Sequence, residues 1–284
     1  MSESSLRDRI ERYYATVPLL FAEAETFGPF HLFVRKEAGA PYYGGPGHAR
    51  PDSTAGPVTP TGDDIALVRA RQRELGVPQA FEWLAEVTPS LRGRMEAAGL
   101  PVAERPLMIL DPHRQLPRQA LPDGVSIRAV DADDPALPAV LALPGVAFAD
   151  EGTAVGSAGR AELEAAAEGL EADGTVASIR PSLRRGHKTL VAAFAPDGTP
   201  LAAGHYHPAD GTTEIGGIGT LPTARRQGLG AAVMTALADH ARGHGVNTVF
   251  LAYAEESVAR IYARIGFRPA GTTLLIADQP ARGQ

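Results

Sequence analysis

The run Pro222-Thr223-Ala224-Arg225-Arg226-Gln227-Gly228-Leu229-Gly230-Ala231 follows an alternating segment, Thr213 to Thr220, and opens an amphipathic one. Leu229, Val233, Ala236, Leu237 and Ala241 recur at helical spacing between Gly228 and Gly243, and Gly245 stops the pattern. A strand, a glycine-bearing loop and a helix are therefore predicted in direct succession. The first four amides of such a helix lack internal partners and its dipole is positive there, so the loop suits a phosphate. Two arginines add charge. Other phosphate loops are excluded: no Gly-Lys-Ser/Thr occurs, and Gly217-Ile218-Gly219 lacks the third glycine and helix entry of a dinucleotide fingerprint. Gly-x-Ser-x-Gly and His-Glu-x-x-His are absent as well.

The residues around this loop extend the pattern. Val125 to Val130 reads as a strand and Arg160 to Ala172 as a helix. Thr189 to Phe194 and Leu201 to His207 alternate and are joined by Pro196-Asp197-Gly198-Thr199, a hairpin signal; Asp210-Gly211 precedes the next run. Beyond the helix come a strand (Thr248 to Tyr253), a short helix (Ser257 to Ile265) and a last strand (Thr272 to Ala277). The fold class is α/β, with a mixed sheet flanked by helices.

At 284 residues the chain has length for about two domains. The proline-rich stretch 113–122 reads as a linker between residues 1–112 and 123–284. The first half repeats the ending of the second: Gly76, Val77, Phe81, Ala85 and Glu86 fall on Gly245, Val246, Phe250, Ala254 and Glu255 when the segments are aligned. Met95 to Leu100 then falls on Tyr262 to Phe267, and Leu107 to Leu110 on Leu274 to Ala277. Two units in tandem are the expectation. Ala38 to Gly62, with Tyr42 and Tyr43, reads as a long surface loop.

Composition narrows the chemistry. With no cysteine, disulfides, thiolate zinc sites and a cysteine nucleophile are excluded. A net charge of -6 disfavours nucleic acid as a partner. The charged amino terminus does not read as a secretory signal, and the most apolar stretch, Leu137 to Ala149, is too short for a membrane helix and holds Pro144. A cytoplasmic protein without a membrane partner is expected. Of the 27 basic residues, only Lys36 and Lys188 are lysine.

Over about Val125 to Ala277 these residues resemble the GNAT superfamily of acyl-CoA N-acyltransferases. Arg225-Arg226-Gln227-Gly228-Leu229-Gly230 matches that family's Arg/Gln-x-x-Gly-x-Gly/Ala motif, and Tyr262 stands four residues before Gly266-Phe267, as in its second motif. The resemblance implies acetyl-CoA, or another acyl-CoA, as co-substrate, with no metal. Residues 225 to 231 (Arg225, Arg226, Gln227, Gly228, Leu229, Gly230 and Ala231) would hold the pyrophosphate, and the backbone of Ile218, Gly219 and Thr220 would pair with pantetheine. Glu255 and Val258 stand where the family often has Asn-x-x-Ala. The first half lacks the phosphate motif and has Met95 at the tyrosine position, so it is expected to be a degenerate copy that binds no coenzyme.

Transfer to an amine needs a neutral nucleophile, a polarised carbonyl and a proton for the departing thiolate. By resemblance Tyr262 is the acid. Glu214, opening its strand, is the first choice of base. His205 and His207 share a strand face and are candidate substrate contacts. In the connection from Leu143 to Arg160, Phe148, Asp150 and Glu151 are candidates for meeting the acceptor, the acids by holding a cationic amine. Arg184, Arg185 and His187 form a short basic patch, read as a solvated turn. The expected reaction is acetyl transfer to a primary amine of a small molecule, by direct attack in a ternary complex. A non-catalytic acyl-CoA-binding or sensing module is the alternative, and a homodimer stays open.

Overall fold

The computed structural model describes residues 3–36, 44–47, 60–117, 119–150 and 152–277. Tyr42, Tyr43 and Glu151 lie outside the described residues. The chain begins with α1 (Glu3–Thr16), β1 (Ala22–Phe27), β2 (Phe30–Arg35), β3 (Gly44–Pro46), α2 (Gly62–Glu74), β4 (Phe81–Leu84), α3 (Leu91–Ala97) and β5 (Ala103–Leu110). It continues through β6 (Ser126–Val130), α4 (Leu137–Ala149), α5 (Arg160–Ala172), α6 (Thr175–Arg184), β7 (Thr189–Phe194), β8 (Pro200–Tyr206) and β9 (Thr212–Thr220). Last come α7 (Leu229–Gly243), β10 (Thr248–Ala252), α8 (Glu256–Ile265) and β11 (Phe267–Ile276).

Two compact units result. One comprises residues up to Met108 with Ala252–Glu255 and the segment from Pro269; the other comprises Ile109–Leu251 and Glu256–Arg268. The division is not the contiguous one expected from the linker, because most of β11 joins the first unit. Its register sets Thr273 to Ile276 antiparallel against Leu84 to Phe81, and Leu274 and Ile276 complete a core with Phe30, Leu32, Ile65, Val68, Trp83 and Met95. Strand order in this unit is β1-β2-β3-β4-β11-β5. β3 also supplies a short strand inside the segment expected to be loop.

The second unit orders its strands β10-β9-β8-β7-β6, antiparallel except for β9 and β10. Turn chemistry fixes this meander. Gly198 takes φ +84 in the β7–β8 turn; Asp210 and Gly211 take φ +48 and +68, the two left-handed residues of a tight hairpin loop closed by Ala209 and Thr212. β7 is buried nearly throughout, as a central strand must be. α7 buries Leu229, Val233, Leu237 and Ala241 along one stripe. The apolar stretch 137–149 is α4, which buries Leu137, Val140 and Leu143 and continues past Pro144. Among the described residues no helix is long and apolar enough to cross a membrane.

The repeated segments end their helices alike. Val77 N–H donates to the Gln72 carbonyl after α2, and Val246 N–H to the Ala241 carbonyl after α7, each at 3.0 Å, with Gly76 and Gly245 left-handed between.

Candidate functional site

A bulge and a fork shape the middle of β9. Ala203 pairs with Gly219 and His205 with Gly216, so Gly217 and Ile218 together oppose Gly204. Gly217 adopts φ +62, and a methyl group there would lie 2.7 Å from His205 Cε1 and Nδ1. Gly204 leaves room for the Ile218 side chain. On its other edge β9 pairs with β10 only from Thr212 to Glu214, opposite Thr248 to Phe250, although β10 runs on to Ala252. The strands part after Glu214. The β9 backbone through Ile218, Gly219 and Thr220 keeps its β8 partners on one side and has no β10 pairing on the other.

The strand then delivers the chain to the start of α7. Arg226 and Gly228 are both left-handed, with φ +67 and +77, and Arg226, Gln227 and Gly228 are exposed. The first helical bond runs from Ala232 N–H to the Gly228 carbonyl, so the amides of Gly228, Leu229, Gly230 and Ala231 have no acceptor within the helix. No acid stands in the first turn and no side chain caps it. A Cβ on Gly230 would come 3.2 Å from Thr220 Oγ1, so the helix start lies against the end of β9. Bare amides at a positive dipole end, beside an unpaired strand edge, suit a pyrophosphate followed by an amide-bearing arm.

The matching helix of the first unit is closed to an anion. Thr61 Oγ1 accepts from Asp64 N–H, Asp64 Oδ2 accepts from Thr61 N–H at 2.8 Å, and Asp63 adds a second acid to the first turn of α2. Side chains there take two of the four corresponding amides, those of Thr61 and Asp64, and two carboxylates repel phosphate.

Arg225 corrects the expectation that its side chain meets the coenzyme. It is 8% exposed, and its guanidinium donates to Asp150 Oδ1 (2.8 Å) and to the carbonyls of Ala147 (2.7 Å), Asp150 (2.7 Å) and Ala154 (3.1 Å). Asp150 is correspondingly an ion-pair partner and not a free acid for an amine. The pair ties the α4–α5 connection to the loop before α7, reinforced by Gly156 N–H to Pro222 O and Thr223 N–H to Ala158 O, each 3.1 Å. Phe148 in the same region is 63% exposed. Arg184, expected in a solvated turn, ends α6 and pairs with Asp133 at 2.7 Å.

Three other candidates are brought together by strand register. Leu190 pairs with His205, and Tyr206 with Thr189 and Ile215. Continued by one residue, that register sets Lys188, His207 and Glu214 in a row across β7, β8 and β9, on the His205 face. His207 donates from Nδ1 to the His187 carbonyl at 2.8 Å, and the His205 and His207 rings meet edge-on at 5.4 Å. Burial first, then the nearby Lys188 and His207, hold His205 well below the usual 6.5, so it is neutral. Burial also lowers Lys188 to about 8. Lys188 was not singled out from sequence; the signal available was its rarity in an arginine-rich chain. The row ends at Glu214, where β9 and β10 separate.

Tyr262 lies on α8, half-buried, its ring edge-on to Phe267 at 6.1 Å. Burial raises its phenol above the usual 10, which keeps it protonated at neutral pH. Among the described residues its hydroxyl makes no hydrogen bond, and no cluster of three His, Asp or Glu could hold a metal ion.

Residues 149–267 match the Acetyltransferase (GNAT) family. This segment belongs to that family. No match was found among curated proteins. Among solved structures, a GCN5-related N-acetyltransferase from Kribbella flavida has a TM-score of 0.70 at 19% identity, covering 98% of this chain and 97% of that one. A conserved protein of unknown function from Staphylococcus epidermidis ATCC 12228 has a TM-score of 0.57 at 15% identity, covering 90% and 93%. A tandem GNAT protein from the clavulanic acid biosynthesis pathway has 0.53 at 17%, covering 89% and 79%. At these identities the likeness to solved structures is one of fold. The match places residues 149–267 in an acetyltransferase family, and that family implies an acyl-CoA co-substrate.

Proposed function

We propose that the GNAT unit transfers an acetyl group from acetyl-CoA to the primary amine of a small molecule, by direct attack while both are bound. The observation that carries this reading is the bare-amide cradle at the start of α7, set against the forked edge of β9. When bound, acetyl-CoA supplies an activated thioester. The amides of residues 228 to 231 hold its pyrophosphate, helped by the exposed Arg226, while the free edge of Ile218, Gly219 and Thr220 orients the arm and directs amides at the developing oxyanion. Glu214, at the apex of the fork, takes a proton from the incoming ammonium. Tyr262, kept protonated by burial, donates to the departing sulfur.

Two GNAT-like units in tandem fit the shared helix endings and the likeness to the tandem protein. In this reading the first unit binds no coenzyme, because Thr61, Asp63 and Asp64 close the start of α2. Calorimetric titration with acetyl-CoA, dephospho-CoA and free pantetheine tests the cradle. Binding should require the pyrophosphate, and absence of any binding refutes the function. With an amine acceptor found by screening, Tyr262→Phe should lower kcat at least about tenfold with acetyl-CoA affinity nearly unchanged. Unchanged turnover removes Tyr262 from the mechanism.

A further inference from the structure

His207 and Glu214 face each other directly across two neighbouring strands. Tyr206 pairs with Ile215 on one side of them and Ala209 bridges Thr212 on the other, in the same antiparallel register, so His207 stands opposite Glu214 between two observed pairings. Residues opposed in this way bring their Cβ atoms to roughly 4.5–5.5 Å, and both side chains leave the sheet on one face. The Thr213 hydroxyl donates to the His207 carbonyl at 2.8 Å and ties the two strand ends together. Glu214 is also the last β9 residue paired with β10, so the histidine stands one strand from the fork.

A backbone contact decides which nitrogen of His207 carries the proton. Nδ1 lies 2.8 Å from the His187 carbonyl, which can only accept, so Nδ1 is the protonated nitrogen and Nε2 holds the lone pair of the neutral ring. His187 leads into β7, on the opposite side of β8 from β9. The two nitrogens of an imidazole point to widely divergent sides of the ring, so a ring whose Nδ1 is turned back to β7 directs Nε2 toward β9 and Glu214. The neighbouring His205, edge-on at 5.4 Å and kept neutral by burial, does not compete for a proton. The charged groups flanking His207 are Lys188 toward β7 and Glu214 toward β9; α4, packed on Gly219 over the same face, carries no ionisable side chain.

We propose that His207 is a proton relay for the acceptor: the proton that Glu214 draws from the incoming ammonium passes to Nε2 and from there to solvent. The inference rests on the acetyl-CoA reading above. An alkylammonium, an imidazolium and a carboxylic acid ordinarily ionise near ~10.4, ~6.5 and ~4.3, so a proton is held about two units, or a hundredfold, better by imidazole than by the carboxylate alone. The neutral amine then attacks the thioester carbonyl. An N–C bond forms, the C–S bond breaks, and the sulfur leaves as thiol with the Tyr262 proton. The second proton lost from nitrogen returns to the Tyr262 phenolate through solvent, so the net proton of the reaction is the one released by way of His207.

His207→Asn keeps a donor for the His187 carbonyl and removes Nε2. Turnover of a primary alkylamine returned by the amine screen is compared with that of hydroxylamine, which is already neutral at pH 7. In the variant kcat/KM for the alkylamine should fall at least about tenfold at pH 7, with the deficit shrinking toward pH 9 as the amine loses its proton in solution, while hydroxylamine loses less than about threefold. Calorimetry should give an unchanged acetyl-CoA affinity. Long-range proton–nitrogen NMR of the full chain, labelled with nitrogen-15 in histidine, reads the ring without any acceptor. The resonances that disappear in His207→Asn should be those of an Nδ1-protonated ring that titrates between about pH 5 and 8. An Nε2-protonated or non-titrating ring, an unchanged alkylamine rate, or an equal and pH-independent loss with both nucleophiles overturns the inference alone; protein that binds no acetyl-CoA overturns the function and the inference with it.

Discussion

Replacing Glu11 by glutamine should stabilise the protein, and only above mildly acidic pH. Glu11 lies on α1 of the first unit, 5% exposed, with its Oε2 buried and unpartnered. Burial raises its carboxyl from 4.5 to about 7, the neighbouring Asp8 adds to the rise, and a hydrogen bond from the Leu84 backbone only partly opposes it. In the folded protein the group stays protonated where the unfolded chain has already ionised. Between pH 4.5 and 7 the native state thus binds more protons than the unfolded state, and stability falls as pH rises. The full difference corresponds to about 3 kcal/mol above pH 7. Glutamine keeps the shape and the acceptor for Leu84 but cannot ionise. Urea unfolding of both proteins at pH 5, 6, 7 and 8 should show near-equal stability at pH 5 and a gain for Glu11→Gln of roughly 1–3 kcal/mol at pH 8. A difference between the two proteins that does not change with pH would refute the reasoning, because only ionisation of Glu11 makes it pH-dependent.

Arg225→Lys should lose at least about 3 kcal/mol of stability, since an ammonium cannot reproduce four bonds from one planar fork and Asp150 loses its partner; a loss below about 1 kcal/mol by denaturant titration would count against it. Gly217→Ala should cost on the order of 1–3 kcal/mol, combining a left-handed backbone with a methyl pressed on the His205 ring. An unchanged melting temperature would mean that the bulge is not held as described. His205, neutral when folded, should be protonated on unfolding below its usual 6.5, so its contribution is intact above that pH and lost as pH falls. His205→Gln should therefore be less destabilised by acid than the parent; equal acid sensitivity in melts at pH 5 and 7 would exclude this.

Local chemistry was legible in the residues. Asp210-Gly211 specified a tight hairpin because both residues tolerate positive φ, and the stripe Leu229, Val233, Leu237 and Ala241 specified which face of α7 is buried. The strand, loop and helix around Gly228 followed from the same periodicities, and with them the bare amides of the cradle. Pairing between distant segments was not legible. Nothing in the alternation of residues 267–276 says that they pair with β4 of the first unit, since register depends on the partner strand's own pattern. The role of Arg225 shows the same limit: beside a phosphate motif an arginine reads as a ligand, and only the approach of the α4–α5 connection turns its guanidinium toward Asp150 and three carbonyls. Lys188 could be noticed for its rarity, but its loss of hydration comes from what packs around it. Sequence determined the elements and the chemistry each could offer, through interactions a few residues long; the tertiary structure decided which groups are desolvated and which face one another, because burial and cross-strand register arise only when remote segments meet.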